Sequence, residues 1–120
     1  MTIVERQVGD VVILRLCGKI LIGEGDDALR EIVTKLANAG KTKIVLNLAD
    51  VPYVDAAGLG EIVRTYTTAS RKGGGLVFLN PLDQNIRQLF ENTGLLAKDG
   101  RAPKVFRVYD SEDEAIRSFN

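Results

Sequence analysis

The feature that most constrains this chain is a repeated change of hydrophobic period. Short β-branched runs alternate with stretches whose apolar residues fall three and four apart. Residues 3–8 and Val11–Cys17 are two such runs around Gly9-Asp10, and together they predict a β-hairpin. A glycine-punctuated loop follows over residues 18–25. Asp26 and Asp27 then supply an N-cap and an acidic first turn for a helix with the stripe Leu29, Ile32, Val33 and Leu36, ending near Gly40. Residues 43–48 form the next strand, and Asp55 opens a second helix carrying Leu59, Ile62, Val63, Tyr66 and Ala69 on one face. Three glycines at 73–75 stop it, and residues 76–79 are a fully apolar strand. Asn80-Pro81 reads as N-cap and first helical residue of a third helix with Leu82, Ile86, Leu89 and Phe90, closed by Gly94. Residues 105–109 are the last strand, and Ser111 to Glu114 is a capping box for a short final helix.

The predicted order is ββαβαβαβα. Strands alternating with helices demand a largely parallel sheet, with the opening hairpin adding an antiparallel edge. The expectation is one α/β domain over residues 1–120, with a mixed, mostly parallel sheet and about four helices.

Composition removes several classes of function. The 120 residues hold 16 basic and 16 acidic side chains, so no basic excess is available for nucleic acid. There is no histidine, and Cys17 is the single cysteine. A zinc site and every Ser-His or Cys-His arrangement are thereby disfavoured, and no metal or cofactor is expected. Cys17 sits in an apolar run and reads as a buried structural thiol. The first residues show no apolar signal region and no stretch approaches the length of a membrane span, so a cytoplasmic protein without membrane insertion is expected.

In an open α/β sheet the loops after the parallel strands gather along one edge. Here they are residues 18–25, residues 49–55 and Asn80-Pro81, and the middle one leads into Val54-Asp-Ala-Ala-Gly-Leu-Gly-Glu61. Asp55 can cap the helix it opens, a role that needs nothing beyond structure. Ala56, Ala57, Gly58 and Gly60 leave the first turns almost bare. Each glycine costs about 1 kcal/mol against alanine inside a helix, so the pair implies close approach by something. A neighbouring strand and an external partner or anion both satisfy that requirement, and spacing does not separate them. Leu59 reads as core, with partner contact as the alternative.

At this segment the chain resembles the STAS-domain anti-sigma factor antagonists. The resemblance is carried by the opening hairpin, by Lys43-Ile-Val-Leu-Asn-Leu-Ala-Asp50, by Tyr53-Val-Asp-Ala-Ala-Gly-Leu-Gly60 and by Ile86-Arg-Gln-Leu-Phe-Glu-Asn-Thr-Gly-Leu95. It implies a STAS-like fold and a non-enzymatic switch protein, monomeric when free, that binds a serine-kinase anti-sigma factor and frees its sigma factor. The implied partner-binding residues are Asp55, Ala56, Ala57, Gly58, Leu59 and Gly60, flanked by Gly23, Glu24 and Asp26. In that family a hydroxyl follows the motif aspartate and takes phosphate from the kinase. Ala56 occupies that place here and has no oxygen to phosphorylate.

Three accounts of Ala56 stay open: a permanently binding-competent antagonist, a paralogue whose partner is controlled elsewhere, or an alanine introduced to mimic the unphosphorylated state. Thr65, Thr67, Thr68 and Ser70 follow on the same helix and read as solvated positions. The segment Lys19-Ile-Leu-Ile-Gly-Glu24 is more apolar than the family pattern, with Leu21 and Ile22 expected to fold inward. The alternative function is a non-phosphorylatable STAS scaffold subunit of a signalling or membrane-transport complex. A receiver or flavodoxin-like role lacks its acidic cluster, since only Asp50 and Asp55 lie near the sheet edge, and no glycine-rich phosphate loop is present.

Overall fold

A computed structural model describes residues 2–20, 26–97 and 105–120, without the side chains of Asp26 and Asp27. Nine elements follow one another: β1 (Thr2–Val8), β2 (Val11–Cys17), α1 (Asp26–Asn38), β3 (Lys43–Asp50), α2 (Ala56–Arg71), β4 (Gly75–Leu79), α3 (Gln84–Asn92), β5 (Val108–Tyr109) and α4 (Glu112–Arg117). The five strands form one sheet in the order β1-β2-β3-β4-β5. β1 is antiparallel to β2, with Val8 opposite Val11, and every later pairing is parallel. Between Val8 and Val11 only Gly9 takes a positive φ, +61°, the pattern of a tight turn with glycine first.

The sequential strand order decides how the layers are filled. Each parallel crossover steps the same way across the sheet, and crossovers are right-handed, so α1, α2 and α3 all fall on one face. The side chains that point there alternate along the strands: Leu14 and Leu16, Leu46 and Leu48, Leu76 and Phe78. They pack against Leu29 and Val33 of α1, Ile62 and Ala69 of α2, and Ile86 and Phe90 of α3. The intervening residues Val11, Ile13, Val45, Val77 and Leu79 face the other way, where α4 covers them with Ala115, Ile116 and Phe119. No strand order reverses, so the sheet lacks the crevice that reversal opens in dinucleotide folds.

Three sequence expectations are corrected by long-range contacts. The third helix starts at Gln84, not at Asn80-Pro81, with Asp83 as its cap accepting from the Asn85 N–H at 2.9 Å. Asn80 is occupied elsewhere: its amide donates to Asp110 at 2.8 Å and its carbonyl oxygen accepts from Arg87 at 2.7 Å. The last strand shrinks from residues 105–109 to Val108–Tyr109. The Val105 and Phe106 N–H groups turn to the Leu95 carbonyl, and the Phe106 ring enters a cluster with Phe78 and Phe90 at centroid distances of 4.6 and 5.0 Å. Cys17 is half-buried, not buried, and its Sγ lies 3.8 Å from Asp50 Oδ2.

Candidate functional site

The loop after β3 is fixed by its neighbour after β2. The Gly18 N–H donates to the Asp50 carbonyl (3.1 Å), the Ile20 N–H to the Tyr53 carbonyl (3.0 Å), and the Asp55 N–H to the Ile20 carbonyl (3.2 Å). Ile20 and Val54 thus form a short parallel bridge beyond the end of the strands. Val51 and Val54 turn inward, at 1% and 5% exposure, which anchors the loop to the core.

Asp55 caps α2 as its sequence position implies. Its backbone is extended (φ −84°, ψ 176°), and Oδ1 accepts from the Gly58 N–H at 2.6 Å, so one of the helix's orphan donors is satisfied. Ala56 is the first helical residue and is exposed; Ala57 is half-buried. Leu59 is 9% exposed and belongs to the core.

The two glycines turn out to have different causes. A Cβ on Gly58 would stand 2.5 Å from the Ile20 carbonyl oxygen and 2.9 Å from Ile20 Cγ2, so Gly58 exists for the chain's own bridge. A Cβ on Gly60 would meet nothing within 4 Å among the described residues, and Gly60 is exposed. Packing among the described residues gives no account of it. Ala56 and Gly60 lie one turn apart on the same outward stripe, which continues to the exposed Arg64.

A charged cluster that the sequence reading missed sits directly behind this tip. Glu61 is 7% exposed, and its carboxylate pairs with Arg30 of α1 and with Arg64, the latter at 2.9 Å. A buried carboxylate held by two guanidiniums ties α1 to α2 near the helix start. Glu61 was visible only as one more helix residue, because Arg30 lies 31 positions away in the chain.

The remaining candidates fall as follows. Gly23, Glu24, Leu21 and Ile22 lie outside the described residues. Asp26 begins α1, and its side chain is likewise not described. Thr65 is not solvated as expected: it is 3% exposed, three residues after Ile62 on the buried stripe, and its hydroxyl donates to the Glu61 carbonyl at 2.9 Å. Thr67 and Thr68 are half-buried, the Thr67 hydroxyl donating to the Val63 carbonyl, and Ser70 is exposed. Asp50 is engaged by Arg15 at 2.7 Å, an exposed pair that raises the arginine's pKa further. Asp50 and Asp55 therefore serve different partners. No helix among the described residues is long and apolar enough to cross a membrane.

Fold and tip together define a mixed-sheet α/β domain whose helix start projects bare from the edge where its parallel strands end. The STAS domain family model matches residues 2–115, and the chain belongs to that family. Among curated relatives, the anti-sigma-B factor antagonist of Bacillus subtilis (strain 168) is 39% identical over 67 residues, which is 56% of this chain and 60% of that protein. The match thus spans under two thirds of that relative's length. The anti-sigma F factor antagonist of Paenibacillus polymyxa is 26% identical over 106 residues, 88% of this chain and 84% of the relative. A candidate anti-sigma factor antagonist from Thermotoga maritima, known from a crystal structure, superposes with a TM-score of 0.82 at 26% identity, covering 98% of this chain and 93% of that one. The fold also recurs within the murine anion transporter Solute Carrier 26 family member A9, at a TM-score of 0.69 and 18% identity over 94% of this chain and 18% of the transporter.

Proposed function

We propose that this chain is a cytoplasmic anti-sigma factor antagonist that acts by docking, not catalysis, onto a serine-kinase anti-sigma factor. Its docking surface is the start of α2. Ala56 and Gly60 form the exposed face, Ala57 borders it, and Asp55, Gly58 and Leu59 shape it from behind, with Gly23, Glu24 and Asp26 as flanks. The observation that carries this reading is Gly60, an exposed helical glycine with open space where a Cβ would stand. Its helix cost of about 1 kcal/mol is offset by no contact among the described residues, whereas a partner's main chain approaching the helix would require it.

Ala56 sets the regulation. Where relatives of the resemblance carry a hydroxyl, phosphorylation would add about −1.5 to −2 charges and three acceptor oxygens to the docking face. Alanine keeps that face small and uncharged, so the antagonist stays binding-competent in the presence of ATP.

The test is a titration against purified serine-kinase anti-sigma factors with ATP and magnesium. Binding without phosphate transfer is expected, and Ala56→Ser should permit transfer. Labelling of the unaltered chain at another residue would overturn the permanently competent reading. A second reading, a scaffold subunit, draws on the recurrence of the fold within a transporter. It gains if pull-down returns transport or scaffold components and no kinase.

Gly60→Ala separates folding from docking. Thermal unfolding should show the variant more stable by about 1 kcal/mol, because the helix gains and nothing clashes. Affinity for the kinase should fall about tenfold, since the added methyl stands between two main chains. Gains in both stability and affinity would mean that no partner main chain needs glycine at this position.

A further inference from the structure

We propose that Tyr53 is the aromatic anchor of the α2-tip surface and that its ring enters an apolar pocket on the kinase anti-sigma factor. This deepens, and rests on, the docking function proposed for the start of α2.

The aromatic residues of the chain divide sharply by environment. Phe78, Phe90 and Phe106 are fully buried and stack with Tyr66 in one cluster. Tyr109 and Phe119 are half-buried. Tyr53 is 47% exposed; the other large exposed hydrophobics among the described residues, Val4 and Val8, lie on the edge strand β1. Tyr53 stands three residues before Ala56, at the same helix start.

The ring is outside because its main chain is clamped. The Tyr53 carbonyl accepts from Ile20, the Asp55 N–H donates back to Ile20, and Val51 and Val54 hold the inward positions on either side. Rotating the ring into the core would require Val54 to leave it. A tyrosine on a fixed main chain has only two side-chain torsions to lose on docking, and a few such aromatic residues supply much of the energy in interfaces where they fill a pocket.

The charges nearby select the occupant. The outward stripe runs Ala56, Gly60, Arg64, and Arg64 and Arg30 are both fastened to Glu61 while their side chains stay 59% and 49% exposed. A second copy whose two-fold axis passes through this stripe would set Arg64 against its own equivalent. A different protein with an apolar pocket and an acidic group opposite the exposed Arg64 meets it favourably.

The experiment uses whichever purified kinase anti-sigma factor binds the unaltered chain in titration. Tyr53→Ser should raise the dissociation constant about 30-fold and Tyr53→Phe less than about threefold; the Phe variant should melt like the parent, and the Ser variant should stay folded and melt only a few degrees lower, because half of the ring is already in solvent. Equal affinity for the Ser variant would overturn the proposal while leaving the docking reading intact. So would sedimentation showing a dimer of the unaltered chain that Tyr53→Ser dissociates without touching kinase affinity. If no kinase binds the unaltered chain, the docking reading itself fails and this inference falls with it.

Discussion

Gly58→Ala is expected to lower the unfolding free energy by about 2–3 kcal/mol, a fall of roughly 10 °C in melting temperature for a domain of this size. The helix itself would welcome alanine by about 1 kcal/mol. Against that, the new methyl would sit 2.5 Å from the Ile20 carbonyl oxygen, a backbone atom that cannot rotate aside. Ile20 must move, and with it go the Asp55 N–H bond at 3.2 Å and the packing of a side chain only 1% exposed. Calorimetry and denaturant titration measure the loss. The sign contrasts with Gly60→Ala, two residues on, where the same methyl meets open space. A Gly58→Ala protein as stable as the parent would mean that the bridge between the two loops contributes nothing.

The alternation of strand and helix was legible because period and capping are local. The hairpin about Gly9-Asp10, the stripe of α1, the Asp55 cap and the Ser111 cap, whose hydroxyl accepts from Glu114 N–H at 3.1 Å, all follow from residues within a few positions of each other. Most of what escaped depends on partners far along the chain. Asn80 looked like a cap until Asp110 and Arg87 claimed its side chain. Residues 105 and 106 looked like strand until the Leu95 carbonyl drew their N–H groups away. Thr65 looked solvated because its hydroxyl is satisfied within its own helix and so tolerates burial.

The candidate site divides in the same way. The segment Asp55–Gly60 is singled out in the sequence by two helix-disfavouring glycines near the start of one helix. Which glycine served the fold and which was left over was not readable there, because the Ile20 carbonyl that decides it belongs to a different loop. The Glu61 cluster was invisible for a related reason: a buried carboxylate is an ordinary helix residue until both guanidiniums are seen beside it.

Ala56→Glu is expected to weaken binding to the kinase anti-sigma factor by about 100-fold or more, or roughly 2.7 kcal/mol, without harming the fold. The two halves of that statement have separate origins. Ala56 is exposed and is the first residue of α2, where an acidic side chain interacts favourably with the helix dipole by about 0.3–1 kcal/mol. Stability should therefore hold or rise slightly. In the docked state the carboxylate would surrender its water at the face that packs against the partner, at a cost of several kcal/mol. Phosphate on a hydroxyl at this position would act through the same physics with more charge. Ala56→Gln adds similar bulk without the charge and should lose only about tenfold, which separates crowding from electrostatics. Calorimetric titration gives both affinities, and thermal unfolding verifies that each variant is folded. An Ala56→Glu protein that binds like the parent would place the docking surface away from this helix start, and the role assigned to the missing hydroxyl would go with it.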